Sequence, residues 1–503
     1  MTKQYVDIPN YTTYNNIADK NFSLSAAQHK NFCIKNTNVV PVSNFLSRAL
    51  NDKIDNGKEP GLNSYVEMSP YKFVRTSALQ ERSYLLDINK ESVLNIVPKS
   101  YVEYSLKKND LLISRDGNVG EAVILEEDYP KTMICGGIYK LPVTKYKYYL
   151  LAFIKSELFK QQIDILVPKG STYRHGKRKF LECKIPIPNK NATDTILYVE
   201  LLVQAIISKE IEIHKKHKKI LEKIQEELIS NQKDEKYKHN YPYISDILNL
   251  DRMDSSLYSE DFKQKEHYIL NYINGTSTIK DLGFSDNDIS RGQNLQISNI
   301  GKSIQTDEHI SGYYTLVYPK FLSKYGTIEK KVYLGNPNKL KTLKVGDIIF
   351  GAEGNEKGRS IVILEEQDNF ITNIHGITLN SEDHNMQKSI FIKLMLDYYR
   401  DKGMIDSYAV GGNGGSLAIK YWDILKFPNF ENDKEKEITK LYSNSEVCYD
   451  MSKCNMKTFL EQDTNFNKLA GIYEIDKSMK YLQEKLNKAL DDIANDIEVE
   501  TTF

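Results

Sequence analysis

The chain's clearest chemistry is a run of positive charge. Residues 169–179 read Lys-Gly-Ser-Thr-Tyr-Arg-His-Gly-Lys-Arg-Lys. Lys169, Arg174, Lys177, Arg178 and Lys179 supply cations, Ser171, Thr172 and His175 supply hydrogen-bonding groups, and two glycines open the backbone. Lysine and arginine meet phosphates, and arginine also reads guanine through two parallel hydrogen bonds. Hydroxyls and backbone N–H groups position a phosphodiester. The plain alternative is a solvated basic loop. A second polar set, Ser290 to Gln296, holds Arg291, Gln293, Asn294 and Gln296, and Asn and Gln suit adenine. Smaller groups sit in two turns, Arg115 with Asn118 and Asn355 with Lys357 and Arg359. Asn413 lies in the glycine run 411–415. Any one of these is an ordinary loop residue; as a pattern they suit contact with nucleic acid.

Other chemistry is missing. Ile300-Gly301-Lys302-Ser303 ends like a phosphate-binding loop, but the first glycine of that motif would fall at Gln296. No His-Glu-x-x-His helix and no Gly-x-Ser-x-Gly elbow occurs. Neither Asn-Pro-Pro-Tyr nor Asp-Pro-Pro-Tyr is present, which argues against base methylation by this chain alone. Glu126-Glu127-Asp128 and Glu365-Glu366 read as solvated strand ends rather than metal-dependent nuclease ligands. No catalytic residue and no metal site is expected.

The polar loops hang on a repeat. Residues 110–127 read DLLISRDGNVGEAVILEE, and 347–366 read DIIFGAEGNEKGRSIVILEE. Asp110 aligns with Asp347, Gly117-Asn118 with Gly354-Asn355, and Val123–Glu127 with Val362–Glu366, so the letters put a two-residue insertion in the second copy. Further matches follow in order. Ile134-Cys135-Gly136-Gly137-Ile138 answers to Ile374-His375-Gly376-Ile377, the 169–172 loop to Gly411–Ser416, and the exit Ile185-Pro186-Ile187-Pro188 to Lys426-Phe427-Pro428. A repeat this long is a duplicated domain, since solenoid units recur every 20–50 residues or so. The copies share a scaffold and differ in their polar loops, as two domains reading different sequences would.

Composition sets the class. Hydrophobic residues make up 40% and charged residues 27% of the 503, with net charge +0, as in a soluble globular protein. Zero net charge gives nucleic-acid binding no support from the chain as a whole. No apolar run reaches membrane-span length and the N-terminus lacks a signal-peptide core. The five cysteines lack zinc-ligand spacing, and an odd count fits a reducing cytoplasm. The 34 tyrosines against one tryptophan are read as compositional.

The expected fold class is α+β, with two duplicated mixed α/β domains joined by long antiparallel coiled-coil-like helices and related by approximate two-fold pseudo-symmetry. The expected divisions are 1–190, a spacer helix over 191–236, 237–430, and a helical region over 431–503. Tyr148–Phe159 reads as a short helix. Thr193–Glu235 has no Gly or Pro and reads as one long helix, capped by Thr193 or Asp194. Val199, Val203, Ile206, Ile213, Ile220 and Ile224 form its seam, which Glu210 and His217 interrupt. Lys209, Glu212, Lys215, Lys216, Lys218, Lys219 and Glu222 are assigned to its outer faces. Met479, Leu482, Leu486, Ala489 and Ile493 form the seam of a terminal helix expected to run antiparallel to it, after a break near Phe466–Gly471.

These pieces together resemble the specificity subunits of type I restriction–modification systems. The likeness is carried by Leu106–Ile113 with Leu343–Ile349, by Gly170-Ser171-Thr172 with Gly415-Ser416, and by the two proline exits. The openings Leu24-Ser25-Ala26-Ala27 with Phe32 and Arg252-Met253-Asp254-Ser255 with Tyr258 add to it. It implies two target-recognition domains, each reading half of a bipartite site in double-stranded DNA. It also implies helices that set the gap and dock two adenine methyltransferase subunits. S-adenosylmethionine would belong to those partners and no cofactor to this chain; an ATP-dependent motor-nuclease subunit is a further partner of such systems. The chain itself would be non-catalytic. The rival readings are a fused restriction–methylation enzyme and a coiled-coil protein scaffold.

Overall fold

A computed structural model gives the fold. It describes residues 5–503 apart from 8, 20, 21, 25, 168–173, 234, 235, 286, 355, 366–368, 381–384 and 412–414. The chain divides into two units. One comprises Thr2–Glu212, Cys448–Lys468 and Ile475–Phe503; the other comprises Ile213–Val447 and Leu469–Glu474.

In the first unit, strand Lys72–Val74 lies antiparallel to Val93–Asn95 and parallel to Thr132–Ile134. Strand Leu111–Ser114 lies antiparallel to both Ala122–Ile124 and Ile138–Leu141, and Val39–Pro41 pairs with the exit strand Lys184–Pro186. The second unit repeats this plan. Tyr314–Val317 is antiparallel to Val332–Gly335 and parallel to Phe370–Thr372. Ile348–Gly351 is antiparallel to Ser360–Val362 and Gly376–Leu379, and Thr276–Thr278 pairs with Lys426–Pro428. Two extra strands, Ile289–Arg291 and Ile304–Thr306, widen its sheets. The central strands are buried along their whole length, hence their continuous apolar runs. Leu112 and Val123 pack with Phe73 and Met133 in one core, and Ile349 and Ile361 with Val317 and Phe370 in the other.

The repeated aspartate is a turn device. Asp110 accepts a hydrogen bond from Lys107 N and Asp347 from Lys344 N, each at 2.8 Å. The preceding residues, Asn109 and Gly346, take the left-handed conformation, with φ 68° and 93°. The ladder also corrects the alignment. Leu125 N donates to Asp110 O, and Ile363 N donates to Asp347 O. Leu125 therefore answers to Ile363 and not to Leu364. The turns close from Ser114 N to Glu121 O and from Gly351 N to Arg359 O, so the second copy carries one extra residue there instead of two.

Around Tyr148–Phe159 the structure has two helices, Lys147–Ile154 and Glu157–Leu166. Ser156 divides them because its side chain caps the second by accepting from Phe159 N. The long helix is 39 residues, Ala192–Ser230, ending short of Glu235; Thr193 and Asp194 lie in its first turn rather than at a cap. The predicted seam is buried throughout, but Lys209 and Lys216 are buried too, against the outer-face assignment. Lys209 is drawn in by Asp463 at 2.8 Å and by the rings of Tyr449 and Phe466.

The two polar breaks are attachments. In the first unit Glu210 accepts from Tyr84 N at 2.9 Å and from the Ser83 hydroxyl. In the second, His217 meets the Tyr325 ring edge-on, 3.9 Å from Asp397. Burial, then the Lys393 charge, pushes the His217 imidazole well below its ordinary pKa. The C-terminal region forms helices Asn432–Tyr442, Phe459–Leu469 and Ile472–Ala494, with the expected break at Ala470–Gly471. Within the second unit, Lys223 pairs with Glu437 and Glu227 with Lys434, so Asn432–Tyr442 runs antiparallel to the long helix. Within the first, Asn36 bonds to Ile493 O and Asn189 to Asp496, while Lys209 meets Asn467. Helix Ile472–Ala494 therefore also runs antiparallel to the long one, with Tyr481 beside Tyr449 near Lys209, whereas Phe459–Leu469 runs parallel to it, Phe459 stacking on Phe503 beside Tyr198. Leu482, Leu486, Ala489 and Ile493 are buried.

Candidate nucleic-acid interface

In each copy the chain leaves the central strand and reaches an acid six residues beyond the turn aspartate: Asp116 after Asp110, Glu353 after Asp347. Backbone bonds make the positions equivalent. Arg115 N donates to Gly137 O and Ala352 N to His375 O; Gly176 N donates to Arg115 O and Leu417 N to Ala352 O. Asp116 then bridges to His175, and Glu353 to Ser416. This overturns the loop alignment read from the letters, because Ser416 answers to His175 and not to Ser171.

The junction needs two glycines. Gly57 N donates to Ile138 O, and Gly292 N donates to Gly376 O. A Cβ on Gly57 would lie 2.0 Å from Cys135 O, and one on Gly292 would lie 2.3 Å from Asn373 O. No other residue fits so close a backbone approach.

At the first tip, Asp116 accepts from Arg115 Nε at 2.8 Å and pairs with His175 Nδ1 at 3.1 Å. Tyr139 donates to Asp52 at 2.6 Å, and Arg178 reaches the same carboxylate at 2.7 Å. The bonds from Arg178 and Tyr139 hold the Asp52 carboxyl below its usual range. Both guanidinium groups stand about the Tyr139 ring, 5.7 and 6.0 Å from its centre. The result is a buried tyrosine ring flanked by two arginines, beside a histidine on Asp116 that is 65% exposed.

At the second tip, Arg291 donates to Glu353 at 2.8 Å, to Ile374 O at 3.1 Å and to Ser416 Oγ at 3.2 Å. His375 Nδ1 lies 2.7 Å from the other Glu353 oxygen. Burial pushes the Glu353 carboxyl up, but the His375 bond and the Arg291 charge outweigh it and hold the group below its ordinary pKa. The carboxyl is therefore ionised at neutral pH and His375 Nδ1 is the donor. Beside it opens a cavity of ≈ 660 Å³ lined by Tyr318, Pro319, Lys320, Asn373, His375 and Ser416 among others.

The other candidate residues are placed as follows. Arg174 is turned inward, donating to Asp164 at 2.9 Å and to Val167 O. Lys177, Arg178 and Lys179 are exposed, and Lys179 pairs with Glu182 at 3.0 Å. Asn118 is exposed near Leu79 O. Gln293 bridges to Asn373, and the Asn294 side chain accepts from Gln296 N. Lys357 pairs with Asp406 at 2.5 Å, and Arg359 donates inward to Leu322 O at 2.7 Å. Lys169, Ser171, Thr172, Asn355 and Asn413 lie outside the described residues. So Arg115, His175 and Arg178 come together at one tip, and among the described residues Arg291 stands alone of its set at the other. Sequence reasoning passed over Asp52, Asp116, Tyr139, Glu353, His375 and Ser416. The signal for two of them was present: an acid at the same offset in both copies. Among the described residues, no group of three or more His, Cys, Asp or Glu side chains could hold a metal ion, and no helix is long and apolar enough to cross a membrane.

Residues 49–229 match the family model of the type I restriction modification DNA specificity domain. Over those residues the chain is similar to the type I restriction–modification specificity family. The role that goes with this family is DNA specificity, and catalysis is not part of it. The second copy lies outside the matched residues and is tied to the first by the shared ladder. None of the curated proteins matches. Among solved structures, a type I restriction–modification S subunit from M. genitalium is 14% identical, over 92% of this chain and 97% of that one, with a TM-score of 0.36. An HsdS subunit from Thermoanaerobacter tengcongensis is 9% identical, over 91% and 97%, with a TM-score of 0.25.

Proposed function

We propose that the chain is the address-reading subunit of a type I restriction–modification complex, with one half of a bipartite duplex site read by each copy. Residues 1–190 and 237–430 are the two readers. Residues 191–236 and 431–503 are the helical spacer that sets the gap and docks two adenine methyltransferase subunits. S-adenosylmethionine comes with those subunits, and an ATP-dependent motor-nuclease joins the complex where restriction follows. The setting is the cytoplasm, where the target DNA is.

One observation carries this reading: two ladders with corresponding hydrogen bonds, each ending in an acid at the same offset, Asp116 or Glu353, with different polar groups around it. A constant scaffold with variable tips suits two readers of different half-sites. A structural duplication with no reading role would have no reason to vary there. Arginine and histidine around an ordered carboxylate can bond base edges, while Lys177 and Lys179 reach phosphates.

The test exchanges residues 237–430 for the corresponding segment of another such chain, co-expresses the product with its methyltransferase, and maps methylated sites on genomic DNA. One half of the motif changes and the other stays. A change in both halves would replace the two-reader model with a single composite surface. Methylation that needs no partner would point to a fused enzyme, and no DNA binding at all to a protein scaffold.

A further inference from the structure

The cavity beside Glu353 has a polar lining tilted towards acceptors. Among the described residues each Glu353 oxygen takes one bond, Oε1 from Arg291 and Oε2 from His375, and a carboxylate oxygen can take two. His375 donates through Nδ1, so in the neutral ring Nε2 is an acceptor. Asn373, only 8% exposed, lines the same cavity, and its Oδ1, itself closed to solvent, has no hydrogen-bond partner among the described residues. Buried carbonyls without a donor are few in folded proteins, and each asks for an explanation; a ligand's N–H supplies one if the Asn373 amide turns into the cavity. At the rim, Lys320 lies 5.4 Å from the Tyr318 ring centre, a cation placed for a phosphate. A cationic rim around an acceptor-rich interior fits one nucleotide of a strand, its phosphate outside and its base edge inside.

We infer that this pocket fixes one base of the half-site read by the second copy, and that it selects a base carrying an exocyclic amino group, adenine N6 or cytosine N4. Guanine O6 and thymine O4 are carbonyl acceptors and would face Glu353 and Asn373 acceptor to acceptor. Arg291 is a positioning residue here, because its bonds to Glu353, Ile374 O and Ser416 hold the carboxylate. Glu353 and Asn373 are the discriminating groups. The inference rests on the reading of the second copy as a DNA reader.

The test compares the complex of chain and methyltransferase carrying wild type, Glu353→Gln or Asn373→Ala, by mapping methylation across a genome. Glu353→Gln places an amide NH2 where an acceptor stood. One adenine or cytosine position of the second half-site should then admit guanine or thymine, its preference falling roughly 5- to 100-fold, the span of one base-edge contact. The other positions should not move. Asn373→Ala should relax the same position without removing a charge, and it decides the matter if Glu353→Gln does not fold. A folded Glu353→Gln complex with the wild-type motif would overturn the inference. So would relaxation confined to the other half, or at a position that is guanine or thymine in the wild type. A wild-type complex with no bipartite motif would instead sink the two-reader proposal, and the inference with it.

Discussion

Lys209 and Asp463 form an ion pair in the first unit with side-chain exposures of 0% and 1%, and this pair makes a quantitative prediction. Burial, opposed by Asp463, pushes the lysine from 10.5 down to about 8. The charged pair is nonetheless well bonded: Asp463 also accepts from Tyr449 OH at 2.8 Å and from Asn467 at 3.0 Å, and Lys209 donates to Asn467 at 2.9 Å. Lys209→Met leaves a carboxylate buried without its cation, which costs about 3–5 kcal/mol. The double variant Lys209→Met/Asp463→Asn removes both charges and should recover about 2 kcal/mol or more of that. A pH series adds a sign. The folded-state pKa is below the unfolded one, so between pH 8 and 10.5 the unfolded chain holds the extra proton. The Lys209 contribution is therefore least favourable below pH 8 and improves by about 3 kcal/mol as pH rises to 10.5. The readout is hydrogen exchange of the Phe459–Leu469 amides, a local measure suited to a chain of two units. Subtracting the Lys209→Met profile removes the other titrating groups. A single variant within about 0.5 kcal/mol of wild type, well below the 3–5 kcal/mol expected for an orphaned buried charge, or a wild-type slope that persists in the variant, would refute the argument.

Three further outcomes follow from the same geometry. Gly57→Ala and Gly292→Ala drive a Cβ into backbone carbonyls and should each destabilise their own unit by more than about 3 kcal/mol, seen as early loss of exchange protection in that unit alone. Replacing Lys177, Arg178 and Lys179 by alanine should lower the log–log salt slope of DNA binding by roughly one for each phosphate no longer neutralised, measured by electrophoretic titration, whereas Arg174→Ala should loosen the loop at Asp164 and Val167 with a smaller slope change. Glu210→Gln weakens the attachment of Ser83 and Tyr84 to the long helix and should cost about 1–3 kcal/mol, measurable as faster exchange at the Tyr84 amide.

The sequence carried the duplication and the helices plainly, because both are written in local pattern. A 3.5-residue stripe survives loop variation, and the turn aspartates Asp110 and Asp347 recur with their neighbours. The register of the second strand pair was not recoverable from letters. A strand with one wet face shows a one-residue slip at once, since every side chain changes sides. Here Ala122–Ile124 and Ser360–Val362 are buried on both faces, so the match VILEE to VILEE carried no penalty for being one residue out. Lys209 was misplaced for a related reason: residue type sends a lysine to solvent, and the partners that hold it inside, Asp463 and Tyr449, are remote in sequence. The site was half visible. Its basic loop stood out as charge, but Asp116 and Glu353 matter through the strands that meet at them.

Those two acids show how such a chain can change what it reads without changing how it folds. Both copies surround the acid with a guanidinium and an imidazole, yet no pair of these groups is equivalent. Arg115 is the neighbour of its acid in the chain, while Arg291 comes from an added edge strand. His175 sits across the bridge, where the second copy has Ser416, and His375 occupies the place of Gly137. The constant parts are backbone: the ladder, the left-handed turn, the close approach at Gly57 and Gly292. The acid belongs to that constant set because an ionised carboxylate at the junction can order whichever donors the neighbouring strands supply. Substituting those donors alters the hydrogen-bonding pattern presented at the tip and leaves the ladder's own bonds untouched. A subunit whose task is to specify sequence needs that separation, since new specificity then costs the core nothing.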